Sequence, residues 1–181
     1  MPKNSPFQKH SKSPHDLYLG VDGGGTKTQA VLMNNEEKIV SEGFAGPSNP
    51  LRVGVETAIS NINDALNTAC DQVNRNPGDI VSATLGLAGV RRADIRESIR
   101  QRVVQKIGVK NVEVVTDAEI ALFGTTLGEA GLVIISGTGS ICYGRDGKEN
   151  SATAGGWGPI AGDEGGGISI AKQALQAIAK A

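Results

Sequence analysis

The chain has 181 residues, 39% of them hydrophobic and 20% charged, with a formal net charge of −1 at pH 7. This is an ordinary globular composition, and the near-neutral charge gives no general attraction to nucleic acid or to an anionic membrane. The sequence has no apolar stretch approaching the roughly eighteen residues of a membrane span. Cys70 and Cys142 lie far apart without a metal-binding spacing, so we expect reduced thiols in a cytoplasmic protein.

The first fifteen residues differ from the rest of the sequence. Residues 1–15 are rich in proline, lysine and histidine, and Phe7 is their only large apolar residue besides Met1. A secretory signal needs a continuous apolar core, which this segment lacks. The segment is therefore predicted to be a disordered tail.

The next part of the sequence predicts an α/β fold. Apolar segments separated by turn residues predict strands at Leu17–Val21, Ala30–Met33 and Lys38–Phe44. The later elements are predicted, in order, as a helix over Leu51–Val73, a strand over Ile80–Leu87, a helix over Asp94–Ile107, a strand over Val112–Val115 and a helix over Ala118–Leu127. Three strands followed by alternating helices and strands indicate a mixed sheet with helices on its faces.

The opening pattern recurs after this region. Leu132–Ile135 reads as a strand, a glycine–threonine turn follows, Ile141–Tyr143 begins a return strand, and Arg145–Lys148 is a further hairpin turn. Ile168–Ala181 has helical periodicity but no closing glycine or proline. The repeat predicts a first domain over 16–128 and the start of a second domain of the same plan over 129–181. We expect this second domain to be incomplete, as in a fragment or a truncated product.

The turn after the first strand predicts a phosphate site. Three successive glycines leave backbone N–H groups unshielded, so an anion can approach them closely. Thr26 and Thr28 add hydroxyls and Lys27 adds a positive charge, while Asp22 stands where a hydrated divalent cation could bridge to phosphate. The alternative is a ligand-free hairpin, which needs only one or two glycines. Neither a Walker A loop nor a dinucleotide-binding fingerprint is present.

A second glycine turn and an aspartate complete the candidate chemistry. The turn Ser136–Ser140 repeats the first, and two such hairpins can hold a triphosphate from opposite sides. Asp117 follows a buried strand and opens a helix, so it could be a catalytic carboxylate, the helix N-cap, or both. Glu119 is interpreted as a first-turn charge, not as a second base.

Four motifs carry a family resemblance: Asp22–Lys27, Thr116–Ala118, Ile135–Ser140 and Gly155–Gly165. Their order, over residues 16 to about 175, resembles the BadF/BadG/BcrA/BcrD-type ATPase family of the actin-like, hexokinase and Hsp70 superfamily. Within it, the chain is most similar to the N-acetylglucosamine kinase branch, apparently truncated at its C-terminus. The resemblance implies an actin-like ATPase (ribonuclease H-like) fold.

The resemblance also implies a reaction and the residues that carry it. With ATP and Mg²⁺, the protein would phosphorylate the 6-hydroxyl of N-acetylglucosamine or of a related amino sugar. Asp117 would accept the hydroxyl proton, a role compatible with a low pKa because the base mainly orients the nucleophile. Asp22 would hold Mg²⁺ through water. The ATP phosphates would be bound by Gly24, Gly25, Thr26, Lys27, Gly137, Thr138, Gly139 and Ser140. The sugar would be bound by Asn49, Gly156, Trp157 and Asp163, although Trp157 could instead be a core residue.

The sequence leaves three alternatives to an amino-sugar kinase open. One is an ATPase that activates a partner reductase, although Cys70 and Cys142 do not show the spacing of its shared iron–sulfur site. Another is a non-catalytic nucleotide- or sugar-binding remnant. A third is the repressor and glucokinase group, whose Cys-x-Cys-Gly-x-x-Gly-Cys zinc motif is missing. We expect a small-molecule sugar as partner, no nucleic acid and no membrane, a possible homodimer, and weak or no turnover by the 181-residue chain alone.

Overall fold

The structure is a computed structural model, and it describes residues 16–148 and 150–180. The predicted tail over 1–15 lies outside the described residues. The elements of the first part are β1 (Leu17–Gly23), β2 (Thr28–Asn34), β3 (Ile39–Ala45), α1 (Pro50–Val53), α2 (Val55–Gln72), β4 (Ile80–Leu87), α3 (Ala93–Ile107), β5 (Val112–Thr116) and α4 (Asp117–Thr126). Those of the second part are β6 (Gly131–Ser136), β7 (Ser140–Arg145), β8 (Ser151–Gly155), α5 (Gly158–Ala161) and α6 (Gly167–Lys180).

The first five strands form one mixed sheet in the order β3-β2-β1-β4-β5. The pairs β1–β2 and β2–β3 are antiparallel, whereas β4 runs parallel to both β1 and β5. Asp22 is in register with Gly86, and Leu87 is in register with Thr116. The carboxyl ends of three parallel strands therefore meet at one edge of the sheet, where ligands bind in open α/β folds. The predicted mixed α/β class is confirmed.

The core of this sheet lies under α2 and α3. Alternate β1 side chains, Leu17, Leu19 and Val21, are buried in one cluster with residues of both helices. Gly43 of β3 lets α2 approach closely, since a Cβ at this position would lie 2.0 Å from the Ala65 carbonyl oxygen. Strand alternation directs neighbouring side chains to opposite faces, so the sheet can carry a second layer on its other side.

Helix α4 supplies that second layer and also reaches the second sheet. Leu85 and Leu87 of β4 belong to the core under α2 and α3, whereas Gly86 between them lies against Ile120 of α4. The helix contacts β1, β4 and β5, and on another side it contacts β6 and β7. It therefore joins the two sheets of the described chain.

The helix predicted over Leu51–Val73 is confirmed over Val55–Gln72, but its start is wrong, because the structure breaks it at Gly54. This residue has a φ of +81°, a conformation that favours glycine, and it separates the short α1 from the long α2. The Asn49 side chain caps α1 by accepting a hydrogen bond from Leu51 N. The break turns the chain so that residues 46–52 lie beside the first glycine turn.

The second sheet is a three-stranded antiparallel meander in the order β6-β7-β8. It repeats the strand order of β1–β3, and α5 and α6 follow it. Strand β8 and helix α5 were not predicted as elements. Every side chain of β6, β7, β8 and α6 that the structure describes is exposed or half-buried. The division into domains at residues 128 and 129 stays a prediction.

Both cysteines are free thiols. Burial in α2 raises the pKa of Cys70 above its ordinary value, and the negative charge of Asp71 adds to the shift. Cys142 lies half-buried on β7. None of the described helices is long and apolar enough to cross a membrane.

Candidate active site

The first glycine turn, residues 24–27, joins β1 to β2. Gly24 N donates to Lys27 O at 2.9 Å and closes the turn, and Asp22 lies exposed just before it. The Thr26 side chain is exposed. The Lys27 ammonium lies 5.7 Å from the centroid of the Phe44 ring, beside the edge strand β3. The turn thus presents two glycines, an exposed threonine and a lysine at the carboxyl end of β1.

The segment 46–52 holds this turn in place. Ser48 N and Asn49 N both donate to Gly24 O, each at 3.1 Å. Thr28 Oγ1 is buried and lies 2.6 Å from Gly46 O and 2.8 Å from Ser48 Oγ. The interpretation of the Thr28 hydroxyl as a phosphate donor is therefore wrong, because its hydrogen-bonding capacity is used inside the protein. Thr28 fixes the turn to its support.

Arg52 adds a positive charge that the sequence did not point to. Its Nη1 donates to Gly25 O at 3.1 Å, and a Cβ at Gly25 would lie 2.7 Å from the same nitrogen. The break at Gly54 creates the short helix that carries Arg52 to the turn. A guanidinium beside bare backbone amides makes this turn more favourable for an anion.

Asn49, predicted to bind the sugar, lies between two loops of the first region. Its Oδ1 caps α1, and its backbone N–H contacts Gly24 O. Gly89, in the loop after β4, packs against the carboxamide so closely that a Cβ there would lie 2.3 Å from Oδ1. The amide NH₂ of Asn49 remains as the group that could donate to a ligand hydroxyl.

Asp117 is the first residue of α4, at the edge where the parallel strands end. Thr116, not Asp117, is the N-cap: its hydroxyl accepts from Glu119 N, and the Glu119 carboxylate accepts from Thr116 N. The alternative of Asp117 as a helix cap is thus wrong, and Glu119 is a first-turn charge as predicted. The capping-box pattern Thr-x-x-Glu was the signal that could have shown this.

The environment of Asp117 raises the pKa of its carboxyl above the ordinary value. Burial is the largest cause, and the negative charge of Asp22 adds to it, while the hydrogen bond from Ala118 N at 2.9 Å opposes it. Loss of solvent thus outweighs that hydrogen bond, so the helix N-terminus does not lower the pKa of Asp117. Asp22 on β1 and Asp117 directly after β5 lie at the same edge of the sheet, and we name them the Asp22–Asp117 cluster.

The second glycine turn lies against the segment 163–168. Gly137 N donates to Gly139 O at 2.9 Å, and Gly167 N donates to Gly137 O at 2.8 Å. Ser140 Oγ donates to Glu164 O at 2.7 Å, so this predicted phosphate donor is engaged within the protein. Thr138 is exposed at the tip of the turn. The turn is therefore braced from behind, as the first one is.

Gly156, Trp157 and Asp163 lie in the segment 155–163, which contains the short helix α5 and is here named the glycine–tryptophan loop. Gly155, Gly156 and Gly158 all have φ between +69° and +85°, a region that glycine adopts without strain. Trp157 is 68% exposed, so its alternative as a core residue is wrong. The Asp163 carboxylate is nearly buried and packs against Gly139, which ties this loop to the second turn.

One contact joins the glycine–tryptophan loop to the first region. The Arg91 guanidinium lies 4.5 Å from the centroid of the Trp157 ring, and its Nη1 donates to Gly155 O at 3.2 Å. Arg91 was not predicted as a site residue. The structure therefore groups the predicted residues into two clusters, one around Asp22, Asn49 and Asp117 and one around the second turn.

Comparison with known proteins identifies the family of the chain. The model of the BadF/BadG/BcrA/BcrD ATPase family matches residues 19–181. The chain belongs to this family. It is 36% identical over 163 residues to an N-acetylmuramic acid/N-acetylglucosamine kinase of Clostridium acetobutylicum, a match that covers 90% of this chain and 53% of the relative. It is 32% identical over 175 residues to an N-acetyl-D-glucosamine kinase of Dictyostelium discoideum, covering 92% of this chain and 55% of the relative.

A solved structure shows the same fold. A proposed N-acetylglucosamine kinase of Chromobacterium violaceum superposes with a TM-score of 0.80 at 27% identity, covering 88% of this chain and 55% of the other. This similarity confirms the family and the actin-like ATPase fold expected from the four motifs. The chain spans about half the length of the curated relatives it matches.

Proposed function

We propose that this chain carries the phosphoryl-transfer residues of a sugar kinase, which moves the terminal phosphoryl group of ATP to the 6-hydroxyl of N-acetylglucosamine. The observation that carries the proposal is the Asp22–Asp117 cluster. The two carboxylates lie at the same edge of the sheet, one near the end of β1 and one directly after β5, and the glycine turn braced by Arg52 follows β1. Relatives named as amino-sugar kinases match nine-tenths of the chain, which supports the choice of acceptor.

Asp117 acts in this proposal as the base that accepts the hydroxyl proton. Phosphoryl transfer passes through a loose transition state, so the base mainly orients the attacking oxygen. The raised pKa of Asp117 makes it a better proton acceptor than a solvated aspartate, although a larger fraction is protonated at low pH. Its position at the head of α4, whose N-cap is already satisfied by Thr116, leaves the carboxylate available for this role.

The two glycine turns bind the ATP phosphates in this proposal. Gly24 and Gly137, also predicted to bind phosphate, use their N–H groups to close the two turns. Gly25 and Thr26 therefore offer donors in the first turn, and Thr138 and Gly139 offer them in the second. Because the hydroxyls of Thr28 and Ser140 are engaged within the protein, the exposed Thr26 and Thr138 are the threonines that can reach phosphate. Backbone amides and hydroxyls fixed in advance stabilise transferred charge without reorganisation.

Mg²⁺ fits the residues at this edge of the sheet. The part of the chain that the structure describes has no cluster of three or more metal-ligating side chains, but Mg²⁺ is commonly held by one or two carboxylates together with substrate phosphates and water. Asp22 is an exposed carboxylate beside the turn, and its charge already opposes ionisation of Asp117. Asp22 would hold the ion through water. The ion would supply neutralisation of charge on the phosphate oxygens.

The acceptor would lie between Asn49 and the glycine–tryptophan loop. The Asn49 amide can donate to a hydroxyl, and the exposed Trp157 ring offers a face for a pyranose. Asp163 packs against Gly139, so in this proposal its carboxylate shapes the loop from the side of the second turn.

The test is sugar-dependent transfer by the protein at the length its source produces, with Asp117→Asn as the variant. ADP release and the mass of the sugar phosphate are measured with N-acetylglucosamine, N-acetylmuramic acid and glucosamine. We expect Asp117→Asn to lower kcat by about 10²-fold or more, the usual contribution of a positioned base, while ATP binding changes little. Asp64→Asn, an exposed aspartate on α2, is the matched control. Turnover of Asp117→Asn within twofold of the control would overturn the assignment.

A further inference from the structure

The contact between Arg91 and Trp157 joins the two regions at the point where the acceptor would bind. Sixty-four positions separate Arg91 from Gly155, whose carbonyl its Nη1 contacts at 3.2 Å. The same guanidinium stacks on the indole at 4.5 Å from the ring centroid. The neighbouring Arg92 forms a salt bridge with Asp94, and Arg96 forms one with Glu119. Among the described residues, no salt bridge is formed by Arg91. Its charge is thus directed to the ring and the carbonyl.

Arg91 can act as a fixed point because its own loop is anchored. Val90 is fully buried, and Ala88 N donates to Gly23 O at 2.8 Å, which ties the loop to the end of β1. In the same loop, Gly89 packs against the Asn49 carboxamide. The residues 88–91 therefore contact the end of β1 before the first glycine turn, the predicted sugar ligand Asn49, and the glycine–tryptophan loop.

Trp157, by contrast, is an exposed side chain in a glycine-rich segment. It is 68% exposed, and it stands among Gly155, Gly156 and Gly158, which have no side chains to pack beside it. A cation over an aromatic face is attracted by the ring quadrupole, and arginine also covers the ring with its planar group. Among the described contacts, the Arg91 guanidinium is the group of the first region that contacts the Trp157 ring, and it therefore constrains the orientation of the ring.

We propose that Arg91 is a positioning residue, which sets the Trp157 indole for the acceptor and couples the loop 88–91 to the glycine–tryptophan loop. One face of the indole is covered by the guanidinium, so a pyranose would use the opposite face. Arg91 acts through Trp157 and is not itself in the transfer chemistry. The part that concerns the sugar rests on the proposed function, whereas the contact and its role in ordering Trp157 do not.

The chain offers a direct readout, because Trp157 is its single tryptophan. Fluorescence excited where tyrosine does not absorb reports on this side chain alone. In the 181-residue chain we compare Arg91→Ala, Arg91→Lys and the matched control Arg92→Ala. Arg91→Ala should shift the emission to the red and raise the acrylamide quenching constant, because one ring face becomes exposed. Arg91→Lys should restore part of the protection, since a cation remains, and Arg92→Ala should match the parent chain.

Charged quenchers separate an electrostatic contact from simple covering. A neighbouring guanidinium attracts iodide and repels caesium, so the parent chain should show stronger quenching by iodide than by caesium. Arg91→Ala should reduce this asymmetry, and Arg91→Lys should keep it. Equal acrylamide quenching and equal asymmetry in Arg91→Ala and Arg92→Ala would overturn the proposal.

Titration with N-acetylglucosamine, followed by acrylamide quenching of Trp157, distinguishes sugar binding at Trp157 from the positioning role of Arg91. If both hold, sugar protects Trp157 from acrylamide, and Arg91→Ala weakens the apparent affinity by about 2- to 5-fold, the range for an exposed cation–π contact. Protection with unchanged affinity in Arg91→Ala would support the acceptor and overturn the positioning role. Absence of protection in every variant, with the Arg91→Ala quenching change retained, would overturn acceptor binding by the 181-residue chain and leave the Arg91–Trp157 coupling supported.

Discussion

The two regions of the molecule begin with the same plan and reach different degrees of burial. In residues 17–127, α2 follows the meander β1–β3 and packs back onto β2 and β3, so that Leu66 is fully buried. In residues 131–180, the meander β6–β8 is also followed by a long helix, but Leu175 of α6 is 68% exposed. An amphipathic pattern therefore predicts that a helix forms, and only a covering layer decides whether its apolar side is buried.

The difference bears on the candidate site because each region supplies one glycine turn. The first turn and Asp117 rest on the closed core under α2 and α3, whereas the second turn is held mainly by backbone contacts such as Gly167 N to Gly137 O. Elements with few buried apolar contacts are those that open at low free energy. The second glycine turn and the glycine–tryptophan loop therefore lie in the part of the described chain with less support from packing, whereas Asn49 and Asp117 lie in the better-packed part.

The largest expected difference between the two regions is tested by matched leucine-to-alanine substitutions on the two long helices, α2 and α6. Leu66→Ala on α2 should lower the free energy of unfolding by about 3 kcal/mol, because it leaves a cavity in a closed core. Leu175→Ala on α6 should change it by about 0.5 kcal/mol or less, since the side chain is already mostly in water. Urea unfolding followed by far-ultraviolet circular dichroism measures both.

The control for this pair is the slope of the unfolding transition, which should stay the same if the variants change stability and not compactness. A cost for Leu175→Ala equal to that of Leu66→Ala would show that α6 is buried in solution. The contrast between the two regions would then be wrong.

A second prediction concerns the glycines of the second turn. A Cβ at Gly139 would lie 2.3 Å from Asp163 Oδ2, whereas a Cβ at Gly137 would meet no atom within 4 Å. Gly139→Ala should therefore destabilise the glycine–tryptophan loop by about 2 kcal/mol through overpacking. Gly137→Ala should be neutral or slightly stabilising, because it lowers the entropy of the unfolded chain. Thermal unfolding followed by Trp157 fluorescence compares them.

This pair tests whether the second region has a defined tertiary arrangement despite its exposure. Equal melting temperatures of the Gly139→Ala and Gly137→Ala variants would mean that Asp163 does not pack on the second glycine turn in solution. The contact of Asp163 with Gly139 would then no longer explain why the turn needs glycine at this position.

The strands and most helices could be predicted because their signals are local. Alternation in β1 and the helical spacing of α2 are visible in the sequence, and the parallel order of β1, β4 and β5 places Asp22 near Asp117. The break at Gly54 was missed, because glycine is also tolerated inside helices and only its positive φ makes it a stop.

The contacts of Arg52 and Arg91 could not be predicted in the same way. Arg52 meets Gly25 from 27 positions away and Arg91 meets Gly155 from 64 positions away, so both depend on tertiary placement. The same holds for Thr28 and Ser140: the sequence shows that a hydroxyl is present, but not that it is already engaged. Residue type predicted which groups could bind phosphate, and packing decided which of them are available.

The smallest expected effect is at the junction of the two regions, where α4 begins. Thr116→Ala removes the hydroxyl that accepts from Glu119 N, and loss of such a cap costs about 1 kcal/mol. Thr116→Ser keeps the hydroxyl and should restore most of this stability. Because α4 contacts both sheets, amide hydrogen exchange should rise in its first turn and also in β6 and β7. If exchange rises in the first turn alone, the second sheet does not depend on α4, and the two regions are independent in stability.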